Sequence, residues 1–496
     1  MNKLHITNSN SREKEIFIPI NPPYVGMYVC GPTVSGESHL GHARPYVTFD
    51  LVFRYLQHLG YKVRYVRNIT DAGHFEEEGR KAEDKVSGKA KLEKLEPMEL
   101  VQKYTNLYHD AMDKLNCLRP SIEPTATGHI PEQIEMIEHI IQKGLAYVSN
   151  GSVYFDVAKY AAGNEYGKLS GRKIEDMMAG SRELDGQDEK RNAIDFALWK
   201  NAAPEHIMRW RSPWGEGFPG WHIECSAMAT KYLGEQFDIH GGGMDLQFPH
   251  HESEIAQSHT CSGVQPVKYW MHNNMITVNG KKMGKSYNNT ITLRELFSGN
   301  HPLLEQAYSP MTVRFLILQS HYRSTLDFSN EALQAAEKGL QRLMKANALL
   351  KKLSHTIENA GDEKINTEIE NSLNEAFNNL SDDFNTAITM AELFNLSGII
   401  NSLYAGQLDV KKIGTQTFQR LQNDFRLLIE DILGLQNEEA NDDAAMDGLV
   451  NLFIEMRANA KQKKDFAASD NIRNKLQVLG IKLKDNKDGT TGWERE

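Results

Sequence analysis

Met27-Tyr28-Val29-Cys30-Gly31-Pro32, then His39-Leu40-Gly41-His42, then Phe49, Val52, Phe53, Leu56 and Leu59 at helical spacing, is the stretch whose reading decides the fold. The apolar run through Val29 reads as a strand that Gly31-Pro32 ends. The periodic segment from about His42 to Leu59 reads as a helix, with Gly60 as its stop. Tyr61 to Ile69 reads as a second strand ending at Thr70-Asp71. Strand, helix and strand make one unit of a doubly wound α/β sheet, in which ligands gather beyond the carboxyl ends of the strands. Cys30, the His39–His42 segment and Thr70-Asp71 all fall on that rim.

Outward from this unit the pattern changes several times. Residues 76–96 are densely charged and read as a surface loop or helix. Residues 126–205 mix helices, short strands and polar loops, which suggests an insertion. A second α/β stretch follows, with a helix near 220–233, a strand at Phe237-Asp238-Ile239, a turn at Gly241-Gly242-Gly243 and a helix from His250. Leu333, Ala336, Leu340, Leu343, Ala346, Leu350 and Leu353 keep a helical period, as do Phe418, Leu421, Phe425, Leu428, Ile429 and Ile432. These mark a helical bundle. Asn437 to Asp447 is acidic and reads as a linker, after which Leu449, Leu452, Phe453 and Met456 open a small terminal module.

The expected organisation is a Rossmann catalytic domain in two halves, 1–125 and 206–265, around an insertion at 126–205. A stem-contact region at 266–330, a helical bundle at 331–436 and an α+β module at 440–496 complete it. At 496 residues the chain is too long for one core. No run approaches the roughly eighteen apolar residues that a membrane helix needs. The N-terminus lacks an apolar export segment, so the cytoplasm is the expected compartment. Four cysteines, Cys30, Cys117, Cys225 and Cys261, read as thiols or metal ligands rather than a disulfide framework. The net charge of −10 argues against a general nucleic-acid coat. Residues 451–496, however, carry ten Lys or Arg against seven acids, a basic appendage on an acidic body.

Two short segments carry nucleotide chemistry. In His39-Leu40-Gly41-His42, two imidazoles three residues apart at a helix start face one way, and Gly41 opens room for a base or phosphate. In Lys282-Met283-Gly284-Lys285-Ser286, two lysines flank a small residue beyond the turn Asn279-Gly280, placed to bring ammonium groups to a polyphosphate. Singly, each has a bland reading: chance spacing among 18 histidines, or a solvated basic loop. A third group is metal-like. Cys225 sits on an expected helix, and His250 and Glu254 share one helix face at i, i+4. With Cys30 they form a candidate tetrahedral set, in which His251 or Glu252 could substitute.

The pairing of His-x-Gly-His with Lys-Met-x-Lys-Ser resembles the class I aminoacyl-tRNA synthetases. Within them, Met27-Tyr28-Val29-Cys30-Gly31-Pro32-Thr33-Val34, Arg191 to Lys200, Pro219 to Met228 and Phe248-Pro249-His250-His251-Glu252 resemble the cysteinyl branch, and the likeness runs from about Gly26 to the C-terminus. It implies ligation of L-cysteine to tRNA-Cys through a cysteinyl-adenylate by a monomeric enzyme. ATP enters with Mg2+, on Gly31, His39, His42, Gly241, Asp245 and Lys285. His39, His42, Lys282 and Lys285 act on the transition state. The resemblance further implies that Cys30, Cys225, His250 and Glu254 hold one zinc ion that takes the substrate thiolate, with Thr70 and Trp221 lining the pocket. Ser381-Asp382-Asp383-Phe384-Asn385 resembles the bundle motif of the family, and the tail resembles its anticodon module. There Trp493 beside Lys484, Lys487 and Arg495 suits splayed RNA bases, or else caps a small core. Gly284 stands where the family usually has serine, and Leu40 where it has isoleucine. Two other readings compete. A cysteine ligase acting on an amino-sugar would need neither the long helical region nor the basic tail. A tRNA-binding protein with a dead catalytic domain would not need to keep both nucleotide motifs and all four metal candidates.

Overall fold

In a computed structural model of the chain, the apolar strand at the centre of the opening stretch runs from Tyr24 to Val29. The structure describes residues 3–496 except 73–89, 91–94, 175–188, 205, 356–359, 464, 486–490 and 496. The charged segment at 76–96 lies largely outside the described residues. The chain forms two compact units, Met1–Leu435 and Gln436–Glu496.

The first unit is built on a four-stranded parallel sheet. Tyr24–Val29 pairs with Lys62–Arg67 on one side and with Phe237–Gly243 on the other, and Val267–Asn273 lies beyond the latter. The chain leaves the first strand in one direction and later returns on its other side, so a topological switch point lies between Tyr24–Val29 and Phe237–Gly243. That is where an open α/β sheet offers a ligand crevice. Phe237–Gly243 and Val267–Asn273 are nearly continuous in buried residues, and the other two strands are buried over their carboxyl-terminal halves, as a sheet covered on both faces requires there.

The helix Leu40–His58 buries Val47, Phe49, Val52 and Leu56 and follows the first strand. Helices Trp221–Leu233 and His250–Ser262 precede and follow the third. The Gly241-Gly242-Gly243 segment is strand, not the expected turn. None of the three has positive φ, and their missing side chains serve packing. A Cβ at Gly241 would run into the Phe49 ring, and one at Gly242 would press on His251.

The insertion carries a five-stranded antiparallel sheet from Ala146–Ser149, Ser152–Phe155, Phe196–Asn201, Gly215–Pro219 and Trp210–Ser212. Its last two strands lie past residue 205. Helices Asn330–Lys352, Glu363–Ser381, Thr386–Tyr404 and Thr415–Arg426 form the bundle.

The second unit corrects one reading. The stretch expected as a linker is helical within Glu438–Gln462, where the Glu and Asp run favours a helix N-terminus over an open chain. Leu449, Leu452, Phe453 and Met456 on that helix are exposed. The core of the unit is instead made by Val450, Leu476 and Ile481, with Ile454, Ile472, Leu483 and Trp493 packed against them.

Candidate active site and metal centre

The four residues proposed as metal ligands converge from three places along the sheet rim. Cys30 follows the first strand, Cys225 lies on the Trp221–Leu233 helix, and His250 and Glu254 lie on the His250–Ser262 helix. All four are buried, and one ligand atom from each lies within 4.8 Å of the others. Cys30 Sγ is 3.9 Å from Cys225 Sγ and 3.8 Å from Glu254 Oε1, and His250 Nε2 is 3.1 Å from the same carboxylate oxygen.

Among the described residues a second set, Cys30, His240, His251 and Glu254, meets the same distance test. Glu252 belongs to neither set. Its carboxylate accepts from Gly167 N, Ser170 N and Ser170 Oγ, tying the helix to a loop of the insertion.

Around these ligands stands a layer of histidines, of which sequence reasoning named only His251 as a possible ligand. His240 Nε2 is 2.9 Å from Glu254 Oε2, and His222 Nδ1 is 2.8 Å from His250 Nδ1. His251 Nδ1 is 2.8 Å from His272 Nε2, whose other nitrogen meets Ser9 Oγ. Such partners orient ligating side chains. The available signal was His240 in the middle and His272 near the end of buried strands, which looks like ordinary core without a third dimension.

The electrostatics favour a cation. Burial opposes ionisation of Glu254, yet His240 and His250 hold it down to about 2. Burial works against charge on His250 too, but Glu254 and then Cys225 raise it to about 10. The hydrogen bond with Cys30 lowers Cys225 to about 7. Burial, with Cys225 and Glu254, pushes Cys30 well up. Glu254 and Cys225 thus shed their protons readily, as metal ligands must, while an entering metal ion would displace those held on His250 and Cys30.

Trp221, 37% exposed, opens the helix that carries Cys225 and lies over His250 with ring centroids 4.3 Å apart. Thr70 is buried, and its hydroxyl donates to Glu224 Oε2 at 2.9 Å. Both border the metal cluster, because Asn68 links Thr70 Oγ1 at 3.1 Å to the neighbourhood of Cys225 Sγ at 3.8 Å.

The nucleotide motifs also meet. His39 caps the Leu40–His58 helix: its Nδ1 accepts from Gly41 N at 3.1 Å while His42 Nδ1 accepts from His39 N at 3.1 Å. The two rings stack with centroids 3.9 Å apart. Burial, helped by His39, lowers His42 to about 3, so it works as a neutral imidazole.

Leu40 N donates to Ile291 O and Leu293 N to Ser38 O, which pins the helix start to chain just beyond the lysine loop. The loop itself follows the hairpin turn at Asn279 and Gly280, both at positive φ. Asn289 Oδ1 accepts from Gly284 N at 2.9 Å and its Nδ2 donates to Lys282 O at 3.0 Å. A Cβ on Gly41 would meet Met283 Cε and His39, so the two motifs touch at the glycine. Lys282 is exposed, and the side chain of Lys285 lies outside the described residues.

Gly31 is required by packing: a Cβ there would strike the Asn68 carbonyl oxygen. Asp245 is exposed on the short helical turn Met244–Gln247 just past the third strand. Trp493 is half-buried on the small terminal core, and the side chains of Lys484, Lys487 and Arg495 lie outside the described residues.

Comparison with known proteins converges on one family. Residues 16–338 match the model for the tRNA synthetases class I (C) catalytic domain, and residues 375–437 match the DALR domain. "Cysteine--tRNA ligase" of Phocaeicola vulgatus is 58% identical over 99% of both chains. That of Bacteroides thetaiotaomicron is 58% identical over 98% of both, and that of Chlorobaculum tepidum 46% identical over the whole of both. Among solved structures, methionyl-tRNA synthetase of Mycobacterium tuberculosis with methionyl-adenylate superposes with a TM-score of 0.57 at 12% identity, covering 83% of this chain and 92% of that one. A LeuRS complex of Agrobacterium radiobacter K84 gives 0.56 at 12% identity over 84% of each. At such identities the likeness is one of fold. With its crevice, its paired motifs and relatives matched end to end, the chain belongs to the class I (C) tRNA synthetases, the family of the cysteine–tRNA ligases.

Proposed function

We propose that this chain activates L-cysteine with ATP and transfers it to tRNA-Cys, choosing the amino acid by its sulfur at the Cys30, Cys225, His250 and Glu254 cluster. The observation that carries the reading is the convergence of those four side chains on the same strand rim that holds the joined nucleotide motifs.

Their donor chemistry fits zinc. With bonds of about 2.3 Å to sulfur and about 2.0–2.2 Å to nitrogen or oxygen, tetrahedral edges come to roughly 3.8 Å between sulfurs and 3.3 Å between the lighter atoms. The Sγ–Sγ distance of 3.9 Å and the Nε2–Oε1 distance of 3.1 Å lie near these. The first set is favoured over the one with His240 and His251, because two thiolates suit zinc and His240 and His222 then serve as orienting partners. Zinc there would lower the substrate thiol pKa and prefer its sulfur to the hydroxyl of serine, a discrimination that shape alone makes poorly.

In activation, the carboxylate of cysteine attacks the α-phosphorus of ATP, forming cysteinyl-adenylate and releasing pyrophosphate. No covalent bond to the enzyme is needed, so the protein contributes position and charge. His39 and His42 would donate hydrogen bonds to the phosphate oxygens from the helix start, with His42 neutral. Lys282 and Lys285 would neutralise the leaving pyrophosphate together with Mg2+. Gly31 and Gly241 would present backbone to the nucleotide, Asp245 would hold the ribose, and Thr70 and Trp221 would border the amino acid. The 2′- or 3′-hydroxyl of the tRNA end then attacks the carbonyl carbon of the adenylate, forming the cysteinyl ester as the anhydride bond breaks and AMP leaves. The bundle and the terminal module, with Trp493, would hold the tRNA.

Cysteine-dependent ATP–pyrophosphate exchange without tRNA, measured alongside metal content, tests the reading. Exchange with cysteine and none with serine is the expected result; zinc-loaded protein inactive with cysteine would overturn it. Cys225→Ser should lower bound zinc and weaken cysteine binding at least tenfold, while unchanged zinc and affinity would remove the metal assignment.

A further inference from the structure

Beside the metal cluster runs a hydrogen-bond chain whose polarity can be deduced link by link. Gly31 N–H donates to a side-chain atom of Asn68 at 2.9 Å, which must therefore be oxygen. The other end of that amide is then the NH2 group, and it donates to Thr70 Oγ1 at 3.1 Å. Thr70 Oγ1 thus accepts from Asn68, so its own proton goes elsewhere. It goes to Glu224 Oε2, 2.9 Å away. A hydroxyl has one proton and two lone pairs. With the proton taken by Glu224 and one lone pair by Asn68, what Thr70 offers any further partner is an acceptor.

Asn68, Thr70 and Glu224 are at most 3% exposed, so water does not scramble this arrangement. Glu224 directly precedes Cys225, and Asn68 Oδ1 lies 3.8 Å from the Cys225 sulfur. The acceptor therefore stands within one amino acid's reach of the place where a substrate thiolate would sit. An α-amino acid bound through its sulfur presents a second group at that range, its ammonium, which has only donors.

We propose that Glu224 is a specificity-determining positioning residue that acts through Thr70, locking the hydroxyl as an acceptor for the substrate ammonium. The inference rests on the sulfur-selecting function proposed above. It assigns to this chain a second point of recognition that metal–sulfur bonding cannot supply. Without it, any small thiol carboxylate of matching length would bind as well as cysteine. A charge-assisted hydrogen bond of this kind is worth about 10- to 100-fold in affinity.

The test compares L-cysteine with 3-mercaptopropionate, which keeps the thiol and carboxylate but lacks the ammonium, by calorimetry on zinc-loaded full-length protein and by inhibition of exchange. Wild type should prefer cysteine by about 10- to 100-fold. Glu224→Gln, whose amide can donate towards Thr70 and reverse the hydroxyl, should weaken cysteine by at least tenfold and leave 3-mercaptopropionate unchanged. Thr70→Ser should keep the wild-type ratio, and Thr70→Val should lose it. If Glu224→Gln weakens both ligands equally, or neither, the proposal is overturned. Should Glu224→Gln fail to fold or to bind zinc, Thr70→Val decides by the same ratio. Failure here differs from failure of the function itself: wild type without cysteine-dependent exchange defeats the earlier reading, whereas normal exchange with an unchanged ligand ratio defeats only this one.

Discussion

Asp50 faces the protein interior from the helix Leu40–His58, and three separate segments depend on its carboxylate. One oxygen accepts from Leu118 N at 2.7 Å; the other accepts from Arg54 Nε at 2.8 Å and Arg314 Nη2 at 2.5 Å. Arg314 is 0% exposed and also reaches the carbonyls of Leu433 and Leu115. Removing one member of a buried pair strands the other charge, which costs about 3–5 kcal/mol. Asp50→Ala should therefore lower unfolding free energy by about that amount in urea titrations, and a loss below about 1 kcal/mol would show that the carbonyls alone satisfy Arg314. His42 gives a second prediction at this scale. Its folded pKa of about 3 lies below the ordinary 6.5, so between these values the unfolded chain binds a proton that the folded one refuses. Stability should rise with pH across that window, and at pH 5 His42 alone should cost about 2 kcal/mol relative to pH 8. His42→Gln should flatten this part of the stability–pH curve, and an unaltered slope would contradict a buried neutral imidazole. Individual site residues were legible where a residue type announces its chemistry, as Cys30, Cys225 and the His250–Glu254 pair do. Asn68, Glu224, His222, His240 and His272 were not. Their roles come from neighbours tens or hundreds of residues away, and no local spacing encodes those.

Elements were most legible where one period ran long. The helices Leu40–His58 and Asn330–Lys352 lie where Phe49 to Leu59 and Leu333 to Leu353 repeat, because a buried stripe at 3.6-residue spacing has few other uses. Glycine misled. Three in a row read as a turn, yet Gly241 to Gly243 complete a strand whose close neighbours, Phe49 and His251, leave no volume for side chains. The apolar stripe at Leu449, Leu452, Phe453 and Met456 opens the terminal unit yet is exposed, since periodicity identifies a helix face without saying what covers it. Glycine at Gly31 has a checkable consequence. A methyl group there would meet the Asn68 backbone oxygen, and Asn68 carries the bond to Thr70. Gly31→Ala should cut cysteine-dependent exchange by more than about 100-fold, since displaced reacting groups forfeit orientation. Near-normal exchange would mean that the two strand ends can part without loss. The Asn279-Gly280 hairpin makes a gentler case. Gly280 has φ of 73°, so Gly280→Ala should cost about 1 kcal/mol and loosen the lysine loop that follows.

At the scale of the whole molecule, the two compact units separate tasks that the chemistry itself separates. Adenylate formation needs ATP, cysteine and the rim of the parallel sheet, and every residue assigned to it lies before Leu435. The bundle packs into the same continuous core as the sheet, through residues such as Leu343, Leu373 and Phe418. The unit from Gln436 has its own small core around Val450, Leu476 and Ile481. The basic excess in 451–496 and the half-buried Trp493 give it features that suit a polyanion. Removing residues 436–496 should therefore leave the rate of cysteine-dependent exchange within about twofold of the full chain, since every residue proposed for ATP and cysteine belongs to the other unit. The same deletion should raise the KM for tRNA in aminoacylation by at least tenfold, the loss expected when even one stacked base and its phosphate contacts disappear. Trp493→Ala in the full chain divides the effect: a similar rise in KM at unchanged melting temperature assigns the ring to RNA, whereas a lowered melting temperature of the unit with unchanged KM assigns it to the core. Were the deletion to abolish exchange together with charging, the catalytic unit would depend on the terminal one, and the division of labour argued from their separate cores would fail.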